Sequence, residues 1–159
     1  MLIDEEAVKA YINKRESQDY YLDAFETFAE DNNSFKWKWS WWAFGGGAFF
    51  LLYRKLYMEA IVFFLITITA SKIPIASLII WVMSGGIFSY FVYKRYLKTY
   101  DEIGQNVSGR ENQLEALRMR GGFNNWALGI AVAINMLVVA YLFFVILAVY
   151  PGMTVAMPD

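Results

Sequence analysis

The chemistry open to this sequence is narrow, because its 159 residues include no histidine and no cysteine. That removes the commonest general base, thiol catalysis, disulfides, zinc centres built on either residue and haem ligated by them. Carboxylates remain. Glu26, Glu30 and Asp31 include an i, i+4 pair of the kind that can hold a divalent cation. A solvated face of an acidic helix accounts for them better, so no metal site is assigned. Met153 and Met157 are soft thioethers suited to Cu(I), but a third ligand is missing. Gly45-Gly46-Gly47 lacks the Lys-Ser/Thr pair and the strand–turn–helix setting of a phosphate loop. No catalytic residue and no cofactor is assigned, and the expectation is a protein that is not an enzyme.

The elements that would have to position any site are apolar. The chain is 58% hydrophobic and 19% aromatic, and the excess is gathered in long runs, which points to spanning segments rather than one large soluble core. A net charge of −1 offers no field for nucleic acid, so no nucleic-acid partner is expected. Residues 1–34 are strongly acidic, unlike the basic start of a cleaved signal peptide, so the N-terminus is expected to be retained.

Residues 1–34 read as an acidic helical arm, in one piece or two. Val8, Tyr11 and Ile12 share one face, while Leu22, Phe25 and Phe28 share another at helical spacing. Anionic headgroups repel such a helix, so Leu22, Phe25 and Phe28 are candidates for packing on another protein surface: this chain's own loop or a partner. Residues 35–56 form a Trp/Lys/Gly-rich segment, too short and too glycine-rich to cross, expected to be interfacial or half-inserted. Indole beside cation is the chemistry of a membrane–water boundary, which marks Lys36, Trp37, Lys38, Trp39, Trp41, Trp42, Arg54 and Lys55 as interface residues.

Residues 57–93 are expected to form a transmembrane hairpin, with spans from about Tyr57 to Ile73 and Ile75 to Tyr93 around a reversal at Pro74. Residues 94–123 read as a polar loop holding a short helix, with Ser108 and Glu111 as its capping box. Residues 124–150 supply the third span and 151–159 a tail. Gly85 with Ser89, and Gly129 with Ala133, are small-residue pairs for close helix approach; Asn135 is read as an interhelical hydrogen-bonder. Lys and Arg flank the spans on one side, so the N-terminus and the 94–123 loop are placed in the cytoplasm and the C-terminus outside.

YIN at 11–13, YYL at 20–22, Phe25, Phe28 and then FKWKWSWWAFGGGAFFLLYRKLYMEA resemble the bacterial inner-membrane family known as domain of unknown function 2628. Trp39, Ala43, Gly47, Leu51, Leu52, Tyr53, Arg54, Lys55 and Tyr57 fit its pattern. Ser40, Ala48 and Phe50 depart from its usual asparagine, proline and tryptophan. The resemblance implies a small bacterial inner-membrane protein and brings no activity with it. The expected fold is therefore an all-α membrane protein: cytoplasmic amphipathic N-terminal helices, the Trp-rich interfacial segment, and three transmembrane helices. The expected role is an accessory subunit or adaptor of a larger membrane assembly, with membrane lipids and a protein partner; the alternative is a transport-related or lipid-interacting homo-oligomer.

Overall fold

A computed structural model describes residues 3–149. The tail with Met153 and Met157, and the side chain of Asn135, lie outside the described residues. The chain divides into two units, Met1–Asn124 and Asn125–Asp159. Among the described residues every regular element is a helix.

In the first unit, α1 (Glu5–Ile12) starts at Asp4, whose carboxylate accepts from the Ala7 amide at 3.1 Å, and ends at Asn13 in the left-handed conformation. The second helix, α2 (Arg15–Glu30), follows at once and stops where Asn32 and Asn33 adopt positive φ. Next come α3 (Trp41–Tyr53), α4 (Tyr57–Ala70), α5 (Pro74–Asn106) and α6 (Arg110–Arg120).

The fold is organised on α5, whose 33 residues reach about 50 Å. It does not end at Tyr93 as the sequence suggested. Beyond Tyr93 nothing breaks it before Asn106, and Val92, Tyr96, Thr99 and Ile103 form a buried stripe at spacings of three and four. That stripe receives the acidic helices. The Phe25 ring lies 5.1 Å from Tyr93 and 5.2 Å from Tyr96, the Phe28 ring 5.3 Å from Tyr90, and Tyr11 packs edge-on against Tyr96 at 5.3 Å. Phe25 and Phe28 are therefore fully buried inside this chain, with Leu22 half-buried on the same core. Of the two surfaces left open for this face, this chain's own and a partner's, the chain's own α5 covers it, so Leu22, Phe25 and Phe28 are not a free partner-binding face.

Helix α6 closes the other side of α1. Its start is Gly109, with no side-chain cap, so the capping box from Ser108 does not form. Arg110 holds it instead, reaching Asp4 and, at 3.2 Å, Glu6, while Arg120 pairs with Glu102 at 2.9 Å. Together α1, α2, α6 and the second half of α5 make a polar-skinned cap with an aromatic core.

Away from the cap the surface turns apolar. Helix α4 exposes Met58, Ile61, Phe64, Leu65 and Ile68, and α5 exposes Ile75, Leu78, Ile79 and Val82; from Ser84 onward α5 becomes largely covered. The two are joined by a tight reversal in which the Ser77 hydroxyl and the Ile73 amide both donate to the Ala70 carbonyl at 2.9 Å. Helix α4 has 14 residues, about 21 Å, short of the ~20 residues a crossing helix needs. In the second unit, α7 (Asn125–Val149) presents Leu128, Met136, Leu137 and Phe144 on an open apolar surface. Two stretches, Ile75–Asn106 and Arg110–Val145, are long and apolar enough to cross a membrane by length and composition.

Candidate interaction site around the α3–α4 turn

The segment from Phe35 to Lys55 neither lies flat nor runs straight; it follows α5 down and comes back. Phe35 meets Tyr90, with ring centroids 5.5 Å apart. The Trp37 and Trp39 rings then cover Gly86 and Gly85, so closely that a Cβ at either glycine would sit 2.5 or 2.7 Å from ring atoms. The Ser40 amide donates to the Gly85 carbonyl at 2.7 Å. Phe44 stacks on Trp81 at 4.9 Å, and the Trp81 indole donates to the Phe44 carbonyl at 2.8 Å. Phe50 then stacks on Phe88, and the Arg95 guanidinium donates to the Lys55 carbonyl. Measured along α5, the segment goes from Tyr90 to Trp81 and back to Arg95.

The return is made at Gly47, where φ is 48° and ψ −128°. This is the mirror image of the β region, open to glycine and not to a side chain. The glycine does this without a following proline, since Ala48 stands there. Expected to weaken a helix, the triplet instead supplies the bend of one, and α3 starts at Ser40, whose hydroxyl accepts from the Ala43 amide at 3.3 Å.

Tyr53-Arg54-Lys55 closes α3 by a Schellman arrangement. The Leu56 amide donates to the Leu51 carbonyl at 2.8 Å and the Lys55 amide to Leu52 at 3.0 Å, with Leu51 and Leu56 both fully buried. Lys55 occupies the left-handed position (φ 61°) where glycine is usual, at about 1–2 kcal/mol of backbone cost. Its side chain offsets this: the ammonium donates to the Met119 carbonyl at 3.2 Å and to Gly121, the last carbonyls of α6. Burial, with Arg95 beside it, holds the Lys55 pKa below the usual lysine range. It makes no pair with Glu59, contrary to its i, i+4 spacing.

Arg54, expected to face headgroups, is only 6% exposed. Its guanidinium lies 4.6 Å from the Tyr21 ring centre and donates to the Ile12 carbonyl at 3.3 Å; its Nε has no hydrogen-bond partner. Neighbouring phenols do not balance its charge as anions, because burial pushes Tyr11 up to about 12 and raises Tyr21 too. Aromatic faces and a carbonyl dipole hold this cation.

The turn is also where other elements end. The Gly122 amide donates to the Tyr11 carbonyl at 2.6 Å, the Asn124 amide to Tyr53 at 2.8 Å, and Phe123 stacks on Tyr53 at 5.2 Å. Lys14, at the α1–α2 junction, sits among the rings of Trp42, Tyr53 and Phe123 at 5.6–6.0 Å. Sequence reasoning did not single out Lys14 or Phe123, and saw Tyr20 and Tyr21 only as part of the family pattern. The YRK motif was visible, but its partners are more than 30 residues away and no local spacing reveals them.

The sequence-selected residues therefore divide. Trp41 and Trp42 are 73% and 80% exposed, and Trp37 and Phe35 are half-exposed beside Lys36. Lys38 pairs with Asp23 at 2.5 Å. Gly85 receives Trp39 and Phe44, while the Ser89 and Tyr20 hydroxyls bond to each other at 2.7 Å. Gly129 meets nothing within 4 Å, and Ala133 is exposed.

These features define an all-helical protein with a polar cap, a doubled-back aromatic segment and helices apolar enough for a membrane. The family described as a protein of unknown function (DUF2628) matches residues 10–93, just over half of the chain, and the chain belongs to that family. The match takes in α2, α3 with its glycine bend, the YRK turn, α4 and the first part of α5. Neither a curated protein nor a solved structure matches it.

Proposed function

We propose that the chain is a non-enzymatic protein of the bacterial inner membrane that works through its lipid-facing surface and the aromatic boundary above it. The observation that carries this reading is the polarity of α5: apolar side chains are exposed from Ile75 to Val82, whereas beyond Tyr93 the apolar face at Tyr96, Thr99 and Ile103 is buried in the cap and the outer face carries the exposed Lys94 and Lys98. Pro74 to Tyr93 is 20 residues, about 30 Å, the thickness of a bilayer's hydrocarbon core. On this reading the hairpin of α4 and α5 crosses, with α4 completed by its flanking turns. The Phe35–Lys55 segment dips beside its cytoplasmic half, and α7 makes the third crossing. Trp42, Phe35 and Tyr57 then sit at the headgroups, with the cap and N-terminus in the cytoplasm and the C-terminus outside.

Lipid contact comes first because one of the two docking faces of the adaptor reading, Leu22, Phe25 and Phe28, packs on α5. The role of accessory subunit in a larger assembly is the second reading, favoured by an open groove on the cap where Leu114 and Arg118 of α6 face Asn13 beside the 74%-exposed Met119. Labelling single cysteines along α5 with a membrane-impermeant maleimide tests the placement. Lys98→Cys should react, Leu78→Cys should not, and equal reaction at both would overturn it.

A further inference from the structure

Between α4 and α5 runs a groove of about 400 Å³, within the range of small-molecule sites. Its walls are Val62 and Ile66 on one helix and Ile80 and Ile87 on the other, and Glu59 and Phe91 stand at the cap end. From Glu59 to Ile66 it extends about 10 Å. It is apolar along its length and acidic at one lip. Among the described residues the Glu59 carboxylate makes no hydrogen bond and no ion pair. The nearby cations are engaged elsewhere: Lys55 with the end of α6, Arg54 with Tyr21 and Ile12, Arg95 with the Lys55 carbonyl, and Lys94 over the Tyr90 ring at 5.5 Å. Glu59 lies in the first turn of α4 and is only partly buried, so its carboxylate is open to a cation at one end of an occupant whose body is apolar.

We propose that this groove holds an acyl chain of a phospholipid with a primary-ammonium headgroup, the ammonium donating to Glu59. Charge complementarity selects that headgroup. An anionic glycerol lipid would place its phosphate against an unneutralised carboxylate, whereas an ethanolamine lipid offers three donors to it. The polarity gradient selects an amphiphile in one orientation: Glu59 lies at the cap end, at the level of Phe91, and the chain points toward the Ser71–Ile73 reversal. The inference rests on the proposed membrane placement, since it supplies the lipid.

The test is native mass spectrometry of the full chain. The protein is reconstituted in nanodiscs of equal phosphatidylethanolamine and phosphatidylglycerol, then released in mild detergent. Wild type should retain ethanolamine lipid in preference to glycerol lipid. Glu59→Gln, which keeps size and shape, should lower ethanolamine-lipid retention about tenfold and raise glycerol-lipid retention, since the carboxylate that repels its phosphate is gone. Ile87→Trp, which fills the groove, should lower both. Equal retention of the two lipids, no bound lipid, a lipid-free dimer, or an unchanged Glu59→Gln would each overturn the proposal. Carbonate extraction of the same variants separates the two failures. Protein that stays in the membrane without ethanolamine lipid refutes only the groove, while protein released by carbonate refutes the membrane reading beneath it.

Discussion

Adding one methyl group at Gly85 or at Gly86 should have unequal consequences, although the two are adjacent and each lies under an indole. At Gly85 a Cβ would stand 2.7 and 2.8 Å from Trp39 ring atoms and 3.1 Å from the Phe44 Cβ. Comfortable carbon–carbon separation is about 3.5–4.0 Å, so the ring must retreat by close to 1 Å. Phe44 Cβ is fixed to the α3 backbone, and the Ser40 amide is tied to the Gly85 carbonyl at 2.7 Å. Overpacking at about 1–3 kcal/mol and a weakened hydrogen bond at about 0.5–1.5 kcal/mol oppose a helix-propensity gain of up to about 1 kcal/mol. Gly85→Ala should therefore destabilise by about 1–3 kcal/mol, lowering Tm by a few degrees. At Gly86 the three atoms nearest the Cβ all belong to the Trp37 ring, at 2.5–2.6 Å, and that ring is 52% exposed, with room to swing toward solvent. There the propensity gain cancels most of the cost, and Gly86→Ala should fall within about 1 kcal/mol of wild type. Thermal unfolding in detergent micelles, followed by tryptophan emission, checks both. Equal losses at the two sites, or a stabilised Gly85→Ala, would refute the packing of the doubled-back segment on α5.

Gly121→Ala should be harsher, because its Cβ would lie 2.2 Å from the Tyr11 carbonyl oxygen, a backbone atom. Loss of about 3 kcal/mol or more is expected, with faster amide exchange concentrated in α1 and α6. At Asp4, the hydrogen bond from Arg110 holds the carboxyl below its ordinary value of 3.8. A depressed carboxylate stabilises the fold above the unfolded pKa and loses that contribution as pH falls through the folded one. Asp4→Asn keeps the α1 cap but not the pair, so it should cost about 0.5–1 kcal/mol near pH 7, with its difference from wild type shrinking as pH falls below 3.8 and through the lower folded pKa. Denaturant midpoints measured against pH for both proteins read this directly.

Much of the helical layout was legible because it depends on local chemistry. The stop after α2 is written in Asp31-Asn32-Asn33-Ser34, two of whose asparagines take positive φ, and the α4–α5 reversal in Ser71-Lys72-Ile73-Pro74. The reach of α5 was legible too but overlooked. Val92, Tyr96, Thr99 and Ile103 carry a helical stripe through residues whose charge suggested a loop. Other features depend on distant partners. Nothing near Arg54 says that Tyr21 and Ile12 will enclose it, and nothing near Phe25 says that α5 is long enough to cover it. The Trp-rich segment shows this limit most clearly. Composition placed it at a boundary, but its descent to Trp81 and return depend on one glycine dihedral and on two glycines of another helix.

Cysteine accessibility along α4 and α5 decides whether the hairpin lies in a bilayer, and the native chain's lack of cysteine keeps the background silent. Single cysteines at Leu65, Leu78, Lys98 and Glu102 would be exposed to an impermeant maleimide in sealed, cytoplasmic-side-out vesicles. Rapid labelling is expected at positions 98 and 102, and none at 65 and 78 until the membrane is dissolved. Rapid labelling at 65 and 78 in intact vesicles would contradict it, because the exposed apolar face of the hairpin would then be facing water.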